Sequence, residues 1–158
     1  AEQAWQALAE DAGLPLHIFR LAGIYGPAQS PLSQVLHGTA KRLIKKDQVF
    51  NRIHVTDIAN VLAASLAKPR PMAIYNVADD HPCPPQEVVT FAAELVGVEP
   101  PPEVPFEQAQ LTEMARSFYA QNKRVSNRLI HEELGVTLTY PTYREGLEAL
   151  WQAFKHKA

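Results

Sequence analysis

The sequence predicts an α/β fold with parallel strands. Two segments, 16–22 and 73–78, have the continuous apolar character of buried strands, and an amphipathic helical pattern beginning near residue 56 lies between them. This order of strand, helix and strand is typical of a parallel βαβ unit. With 158 residues, 46% hydrophobic and 20% charged, the chain can form one compact domain. Two strands do not make a stable sheet of this kind, so we expect partner strands from residues outside this sequence.

Helices are predicted wherever apolar residues recur at helical spacing next to residues that start or stop a helix. The predicted helices are 1–12 before Gly13, 31–37, 85–96 before Gly97, 111–119, 126–134 capped by Ser126, and 143–154 after the capping box Thr142 to Glu145. A further helix is capped by Thr56 or Asp57 and ended by Pro69 and Pro71. Its apolar stripe is Ile58, Val61, Leu62 and Leu66. Residues 23–27 are predicted to be a turn, 49–55 extended, and 100–105 a stiff proline-rich connector.

The first helical pattern has a stop signal without a start signal. Trp5 and Leu8 lie at helical spacing and Gly13 ends the pattern, but no capping residue precedes it. We therefore expect residues before Ala1 to belong to the same fold. The alternative is a natural amino terminus left by processing.

Composition argues against nucleic-acid and membrane partners. The formal net charge is −2 and no apolar run approaches the roughly 18 residues of a membrane helix. A short basic cluster, Lys41, Arg42, Lys45 and Lys46, is interpreted as a solvated surface turn. The single cysteine, Cys83, cannot form an internal disulfide, which fits a reducing, cytoplasmic setting. No charged neighbour in sequence would lower its pKa, so a nucleophilic role is not predicted.

Several self-contained chemistries lack their motifs. The sequence has no glycine-rich phosphate-binding motif, no nucleophile elbow and no pair of histidines at metal-binding spacing. We therefore predict neither a metal site nor a hydrolase centre. Asp79 and Asp80 follow a strand and precede a helix, which favours turn formation or helix capping, with ligand contact as the alternative.

Four segments together resemble the extended short-chain dehydrogenase/reductase family of NAD(P)-dependent epimerases and dehydratases. They are FRLAGIYGP at 19–27, NRIHVTDIA at 51–59, AIYNVAD at 73–79, and the stretch from Ser126 to the Glu-Leu-Gly at 133–135. Their order and spacing cover nearly the whole chain. Arg52 lies two residues before His54, which departs from the spacing of the family pattern.

The resemblance implies the terminal part of a Rossmann-type parallel sheet plus a small, mostly helical substrate-binding domain. Segments 1–30 and 56–98 would belong to the dinucleotide-binding fold, and 31–55 and 99–158 to the substrate-binding subdomain, with the amino-terminal cofactor-binding half absent. The family's glycine-rich turn and its Tyr-x-x-x-Lys pair do not occur in this sequence. We therefore assign no catalytic residue.

The same resemblance assigns the candidate site residues. Backbone groups of Leu21, Ala22 and Gly23 would face the nicotinamide carboxamide, unless they form an ordinary strand exit. The expected substrate contacts are Tyr25, Arg52, Arg116 and Lys123. The alternatives are packing for Tyr25, a surface ion pair for Arg52, and a solvated face for the group containing Arg116, Tyr119, Lys123 and Arg124. Local packing is expected for His54 and helix capping for Asp57.

The implied function is part of an NAD(P)-dependent oxidoreductase, epimerase or dehydratase that acts on a nucleotide-sugar-like or polyol substrate. The intact protein would bind NAD or NADP, whereas this chain alone would bind neither. Its expected partners are the small-molecule substrate and either a second copy or the missing half. The alternative is a non-enzymatic cofactor-sensing or protein-interaction module of the same fold.

Overall fold

A computed structural model describes residues 1–68 and 70–156. The strands are β1 (His17–Leu21), β2 (Gly23–Tyr25), β3 (Arg42–Ile44), β4 (Arg52–His54), β5 (Ala73–Val77) and β6 (Glu103–Pro105). The helices are α1 (Glu2–Ala12), α2 (Pro31–Leu36), α3 (Val55–Ala67), α4 (Pro85–Val96), α5 (Glu113–Tyr119), α6 (Arg128–Glu132) and α7 (Tyr143–Lys155). A single 3-10 turn, Phe106–Gln108, lies between β6 and α5.

Three pairs of parallel strands, β1 with β5, β2 with β4 and β3 with β6, form the sheet layer of the described residues. Backbone hydrogen bonds connect the first two pairs. The Ala22 N–H donates to Val77 O at 3.0 Å, and the Asp79 N–H donates to Arg52 O at 2.6 Å. The chain therefore passes from β1 into β2 while its bonding partner changes from β5 to β4. This arrangement confirms the predicted parallel α/β fold.

Two clusters of buried side chains hold the helices on the strands. The first lies where α3 and α6 meet β5 and contains Ile53, Val61, Ala73, Tyr75, Val77, Ile130, Leu134, Val136 and Leu138. The second lies where α2, α4 and α7 meet β2 and contains Tyr25, Leu32, Cys83, Val88, Ala92, Tyr143 and Leu147. Burial of these apolar surfaces is the main force that fixes the helices in place.

Most predicted helix ends are confirmed. Gly13 and Gly97 adopt left-handed conformations, with φ of 64° and 80°, directly after α1 and α4. Thr142 and Glu145 form the predicted capping box at the start of α7. These positions are local in origin, since a left-handed residue or a side-chain cap acts on the adjacent turn of helix.

Other local predictions were wrong. The segment 23–25 is strand β2, because its partner β4 supplies the bonds that a turn would lack. The N-cap of α3 is His54, whose Nδ1 accepts the Thr56 N–H at 3.2 Å, and neither Thr56 nor Asp57 has that role. Asn127 rather than Ser126 is the N-cap of α6. Pro69 lies outside the described residues.

The predicted apolar stripe of α3 is only partly buried. Val61 is fully buried in the first cluster, whereas Leu62 and Leu66 are 42% and 84% exposed. The face of α3 that packs on the sheet is therefore narrower than the sequence pattern indicated.

The basic cluster is not simply a solvated turn. Arg42 forms an ion pair with Glu103 at 2.6 Å, and the Lys45 ammonium donates to Tyr119 O. Lys41 and Lys46 are exposed, as predicted. Within the described ranges, no helix combines the length and apolar character needed to cross a membrane.

Candidate functional site

A groove with two adjacent chambers lies at the carboxyl ends of β1 and β5, beside β2 and the amino end of β4. The first chamber, of about 830 Å³, lies between residues 20–23 and the segment 117–126. The second chamber, of about 420 Å³, lies between β2 with the following residues 29–34 and α5. Both chambers include Gly23, Phe50, Asn51 and Phe118 in their walls. Ligands of open parallel sheets bind at the carboxyl ends of the strands, here those of β1 and β5, so the groove is the candidate site.

The outer wall of the groove, segment 121–125, is attached to segment 47–51 through amide side chains. The segment 121–125 runs beside the segment 47–51 without forming a strand pair. The connecting bonds are Gln48 Nε2 to Gln121 O at 2.9 Å, Asn51 Nδ2 to Lys123 O at 2.9 Å, Val125 N–H to Asn51 Oδ1 at 2.8 Å, Val49 N–H to Asn122 Oδ1 at 3.1 Å, and Asn122 Nδ2 to Asp47 O at 2.8 Å. We call the segment 121–125 with these five bonds the amide strap. It fixes the position of the wall relative to β4.

The expected nicotinamide-facing residues, Leu21, Ala22 and Gly23, all line the first chamber. Gly23 donates its N–H to Asn51 O at 3.1 Å, and a β-carbon at residue 23 would lie 3.2 Å from the same oxygen. The N–H of Ala22 is likewise bonded to Val77 O. The N–H groups of Ala22 and Gly23 are therefore already bonded within the chain and are not available to a ligand.

Tyr25 is mainly a packing residue. Its side chain is 4% exposed, and its ring meets the His54 ring edge-on with centroids 5.1 Å apart. Its hydroxyl lies 3.5 Å from Thr142 O. Burial raises the pKa of this hydroxyl above its ordinary value. Tyr25 also borders the second chamber, so its packing helps to set the shape of that chamber.

Arg52 lines the second chamber and is anchored on one side. Its Nη1 lies 3.2 Å from Phe50 O, and it also contacts the carbonyl oxygen and the sulfur of Cys83 at 3.5 and 3.2 Å. No carboxylate of residues 1–68 or 70–156 forms an ion pair with it. The surface ion pair considered from the sequence is therefore not what the structure shows.

Cys83 has a charged neighbour that the sequence did not indicate. Arg52 contacts its sulfur, yet burial dominates and raises the pKa of the thiol. The raised pKa agrees with the prediction that Cys83 is not a nucleophile, since the thiolate is the reactive form.

Lys123 and Arg116, both predicted to contact the substrate, lie in different parts of the structure. Lys123 lines the first chamber, with its Nζ 3.0 Å from the side-chain oxygen of Gln121. Arg116 is in neither wall. It donates to Ala109 O at 3.2 Å and lies over the Phe106 ring. The structure thus places Arg116 away from the groove, because the 3-10 turn before α5 captures its side chain.

Three buried polar residues, His54, Asp57 and Asp79, line neither chamber. His54 packs between the Tyr25 and Tyr140 rings and bonds locally, as predicted. Asp57 is not a helix cap: its carboxylate accepts the N–H groups of Thr139 and Tyr140 at 2.7 and 3.0 Å.

Asp79 forms the predicted turn, accepting the His81 N–H at 3.2 Å. Its side chain is 2% exposed, and its Oδ2 has no hydrogen-bond partner among the described atoms. Burial raises the pKa of this carboxyl to about 7. No group of three His, Cys, Asp or Glu side chains in the part of the chain described lies close enough to hold a metal ion.

Sequence reasoning missed three of the four residues shared by both chambers, namely Phe50, Asn51 and Phe118. Phe118 is 64% exposed although it is a large apolar side chain. Its signal in the sequence is weak, since an isolated aromatic residue on a short polar helix has no diagnostic spacing. Asn51 lies next to Arg52 in the segment that resembles the family, but its two bonds to the strap involve residues more than 70 positions away.

Comparison with solved structures identifies the fold as the carboxyl-terminal half of a Rossmann-type epimerase fold. The chain is similar to a conserved protein of unknown function from Silicibacter pomeroyi, at 59% identity over 98% of this chain and 53% of that one, with a TM-score of 0.90.

More distant structural neighbours have named activities. UDP-glucose 4-epimerase from Thermotoga maritima, solved with UDP-glucose, matches at 18% identity, 99% and 51% coverage and a TM-score of 0.76. The dTDP-glucose 4,6-dehydratase from Bacillus anthracis, solved with NAD, matches at 22% identity, 96% and 48% coverage and a TM-score of 0.70. The chain therefore spans about half the length of the proteins it resembles. No protein-family model matches it, and no curated protein does.

Proposed function

We propose that this chain is the substrate-binding half of an NAD(P)-dependent oxidoreductase, epimerase or dehydratase that acts on a nucleotide-sugar-like or polyol substrate. The observation that carries the proposal is the groove at the carboxyl ends of β1 and β5, whose two chambers share wall residues beside β2 and the amino end of β4. Structural neighbours that bind NAD or UDP-glucose share this fold. In this proposal, segments 1–30 and 56–98 complete the dinucleotide-binding fold, and segments 31–55 and 99–158 form the substrate-binding subdomain.

The first chamber suits the nicotinamide end of the cofactor. The carbonyl oxygens of Leu21 and Ala22 can accept hydrogen bonds from the NH₂ group of a carboxamide. When bound, the cofactor supplies a hydride acceptor. The chain's own contribution is to orient the ring and exclude water from its face. The sequence contains no glycine-rich turn for the pyrophosphate, so the phosphates are held outside this chain.

The substrate is placed at the junction of the chambers and in the second chamber. Arg52 contacts its anionic part, because the anchored guanidinium has a fixed orientation and presents paired donors. Tyr25 shapes the chamber, and Lys123 adds a positive charge at the wall of the first chamber. No group in this chain is assigned the proton transfer.

The test uses a polypeptide that contains this chain together with the residues encoded upstream of Ala1. We expect it to reduce NAD⁺ or NADP⁺ with a nucleotide sugar or polyol, or to epimerise or dehydrate a nucleotide sugar. The 158-residue chain alone is expected to bind neither cofactor with a Kd below about 100 μM, or roughly −5.5 kcal/mol. Cofactor binding by the isolated chain, or a longer protein without activity on either substrate class, would contradict the proposal.

Arg52→Lys tests the substrate site in that longer protein. Lysine keeps the charge but cannot make the paired contact, so we expect a higher KM for an anionic substrate and an unchanged cofactor Kd. Arg116→Lys is the matched control, since Arg116 borders neither chamber. An unchanged KM for every anionic substrate of the wild-type protein would remove Arg52 from the site.

A further inference from the structure

The second chamber has an unusual balance of charge. Among the described residues that line it there is no carboxylate, and its single cationic side chain is Arg52. The described wall of the first chamber also has no carboxylate, but it has three cations: Arg20, which pairs with Glu2 at 2.6 Å, Lys123 and Arg124. The second chamber therefore offers a single positive charge with no carboxylate in its described wall.

Few other polar groups in the second chamber are available to a ligand. The Ser30 hydroxyl accepts the Ser33 N–H at the start of α2, and both atoms of the Asn51 amide are bonded to the strap. The bonds of Arg52 within the described structure all use Nη1. Its remaining N–H groups can meet a planar anion, and Gln29 and Gln34 add neutral polar atoms at the rim.

The rest of the chamber wall is apolar and partly open to water. Ile24 is 51% exposed and Phe118 is 64% exposed, and both line this chamber together with Pro31 and Ala115. Large apolar side chains that converge on a concave site lose their contact with water when a ligand with an apolar body enters. A fully polar ligand would leave that surface without a complementary partner.

We propose that the second chamber selects a substrate that carries one carboxylate next to an apolar body. Arg52 binds the carboxylate, and Ile24 and Phe118 enclose the apolar part. A pyrophosphate carries at least two negative charges, for which this chamber provides a single cation. Its oxygens would also make no favourable contact with the apolar wall. The inference rests on the proposed function only in taking the groove as the substrate site, and it departs from the nucleotide-sugar-like or polyol substrate named there.

The test is a titration of the isotopically labelled 158-residue chain followed by nuclear magnetic resonance. The probes are 3-phenylpropanoate, the uncharged 3-phenylpropan-1-ol and UDP. We expect the carboxylate to shift the side-chain signals of Ile24, Arg52 and Phe118 in a saturable way. The alcohol should bind at least about tenfold more weakly than the carboxylate, a difference of about 1.4 kcal/mol or more. UDP should not displace the carboxylate.

Phe118→Ala should weaken binding of 3-phenylpropanoate several-fold. Phe118 is 64% exposed and belongs to neither buried cluster. Met114→Ala is the matched control on the same helix, because Met114 is 72% exposed and borders neither chamber. The inference is overturned if UDP binds these residues more tightly than the carboxylate, if the alcohol binds equally well, or if no saturation occurs by about 10 mM. It is also overturned if the two variants behave alike. Preference for UDP would leave the proposed function standing, because that proposal is judged by hydride transfer in the longer protein.

Discussion

Gly146 on α7 lies directly against the ring of Tyr25. A β-carbon at residue 146 would stand 2.8 Å from Cε2 and Cζ of that ring and closer still to its hydroxyl. Gly146 is buried, and Tyr25 is one of the side chains that border the second chamber. The absence of a side chain at residue 146 thus lets α7 approach β2 and fixes the position of Tyr25.

Gly146→Ala should destabilise the chain by about 1–2 kcal/mol. Alanine in a helix interior is favoured over glycine by about 1 kcal/mol, but overpacking a buried site costs about 1–3 kcal/mol, and the rigid ring leaves no room. Urea unfolding measures the difference, with Glu148→Ala on the exposed side of α7 as control. Adding Tyr25→Phe should recover part of the loss, since it removes the nearest atom. A more stable Gly146→Ala variant would contradict this account.

Asp57→Ala should cost about 2–4 kcal/mol. Asp57 is fully buried, and removing its carboxylate leaves the N–H groups of Thr139 and Tyr140 without their acceptor. Each unsatisfied group costs about 1–3 kcal/mol. Asp57→Asn retains one acceptor oxygen and should have an intermediate effect. Asp11→Ala, at an exposed position of α1, is the control. Equal stability of Asp57→Ala and Asp11→Ala would exclude this role.

Asp79 should make stability fall as the pH rises. Its pKa is raised from 3.8 to about 7, chiefly by burial, while the His81 N–H and Arg52 oppose the rise. Between these two values the native state binds a proton that the unfolded chain has lost. The stabilising contribution is therefore complete below pH 3.8 and disappears as the pH passes about 7, by on the order of 4 kcal/mol.

Asp79→Asn, which cannot ionise, should flatten this dependence. The free energy of unfolding of the variant relative to wild type should increase from about pH 5 to about pH 8. Asp47→Asn is the control, because Asp47 is exposed and asparagine tolerates its φ of 59°. Parallel profiles for wild type and Asp79→Asn would show that the buried carboxyl does not titrate in this range.

The sequence was sufficient to predict structural features that depend only on residues close together in the chain. The left-handed ends at Gly13 and Gly97 and the capping box at Thr142 need nothing beyond one turn of helix, and all three were predicted. Strand β2 was missed because a three-residue strand between glycines has no internal pattern, and its hydrogen bonds come from β4, more than 25 positions away.

The candidate site was predicted in part for the same reason. Leu21 to Gly23 were assigned to the site from the family resemblance, and they line the first chamber. The capture of Arg116 by Ala109 and Phe106 and the attachment of the groove wall through Asn51 are tertiary contacts that leave no periodic trace. Asp57 was interpreted as a cap because its position in the sequence fits one equally well. Only the approach of residues 139 and 140 distinguishes the two roles.

The 158-residue chain should self-associate in solution. Within the described structure, β1 pairs with β5 along one edge and has no strand on its other edge. Unpaired edges favour pairing with another chain. An apolar face lies on α1, where Trp5 and Leu8 are 59% and 49% exposed one helical turn apart.

Sedimentation at about 100 μM measures the outcome. At this concentration, contacts of about −5.5 kcal/mol or stronger are populated. The double variant Trp5→Gln, Leu8→Gln should shift the distribution toward the 17.6 kDa monomer, whereas Met114→Gln, on the separate helix α5, should not. If the wild-type chain sediments as a uniform monomer with a cooperative thermal transition, these residues close their own core and neither the free edge nor the α1 face is a contact surface.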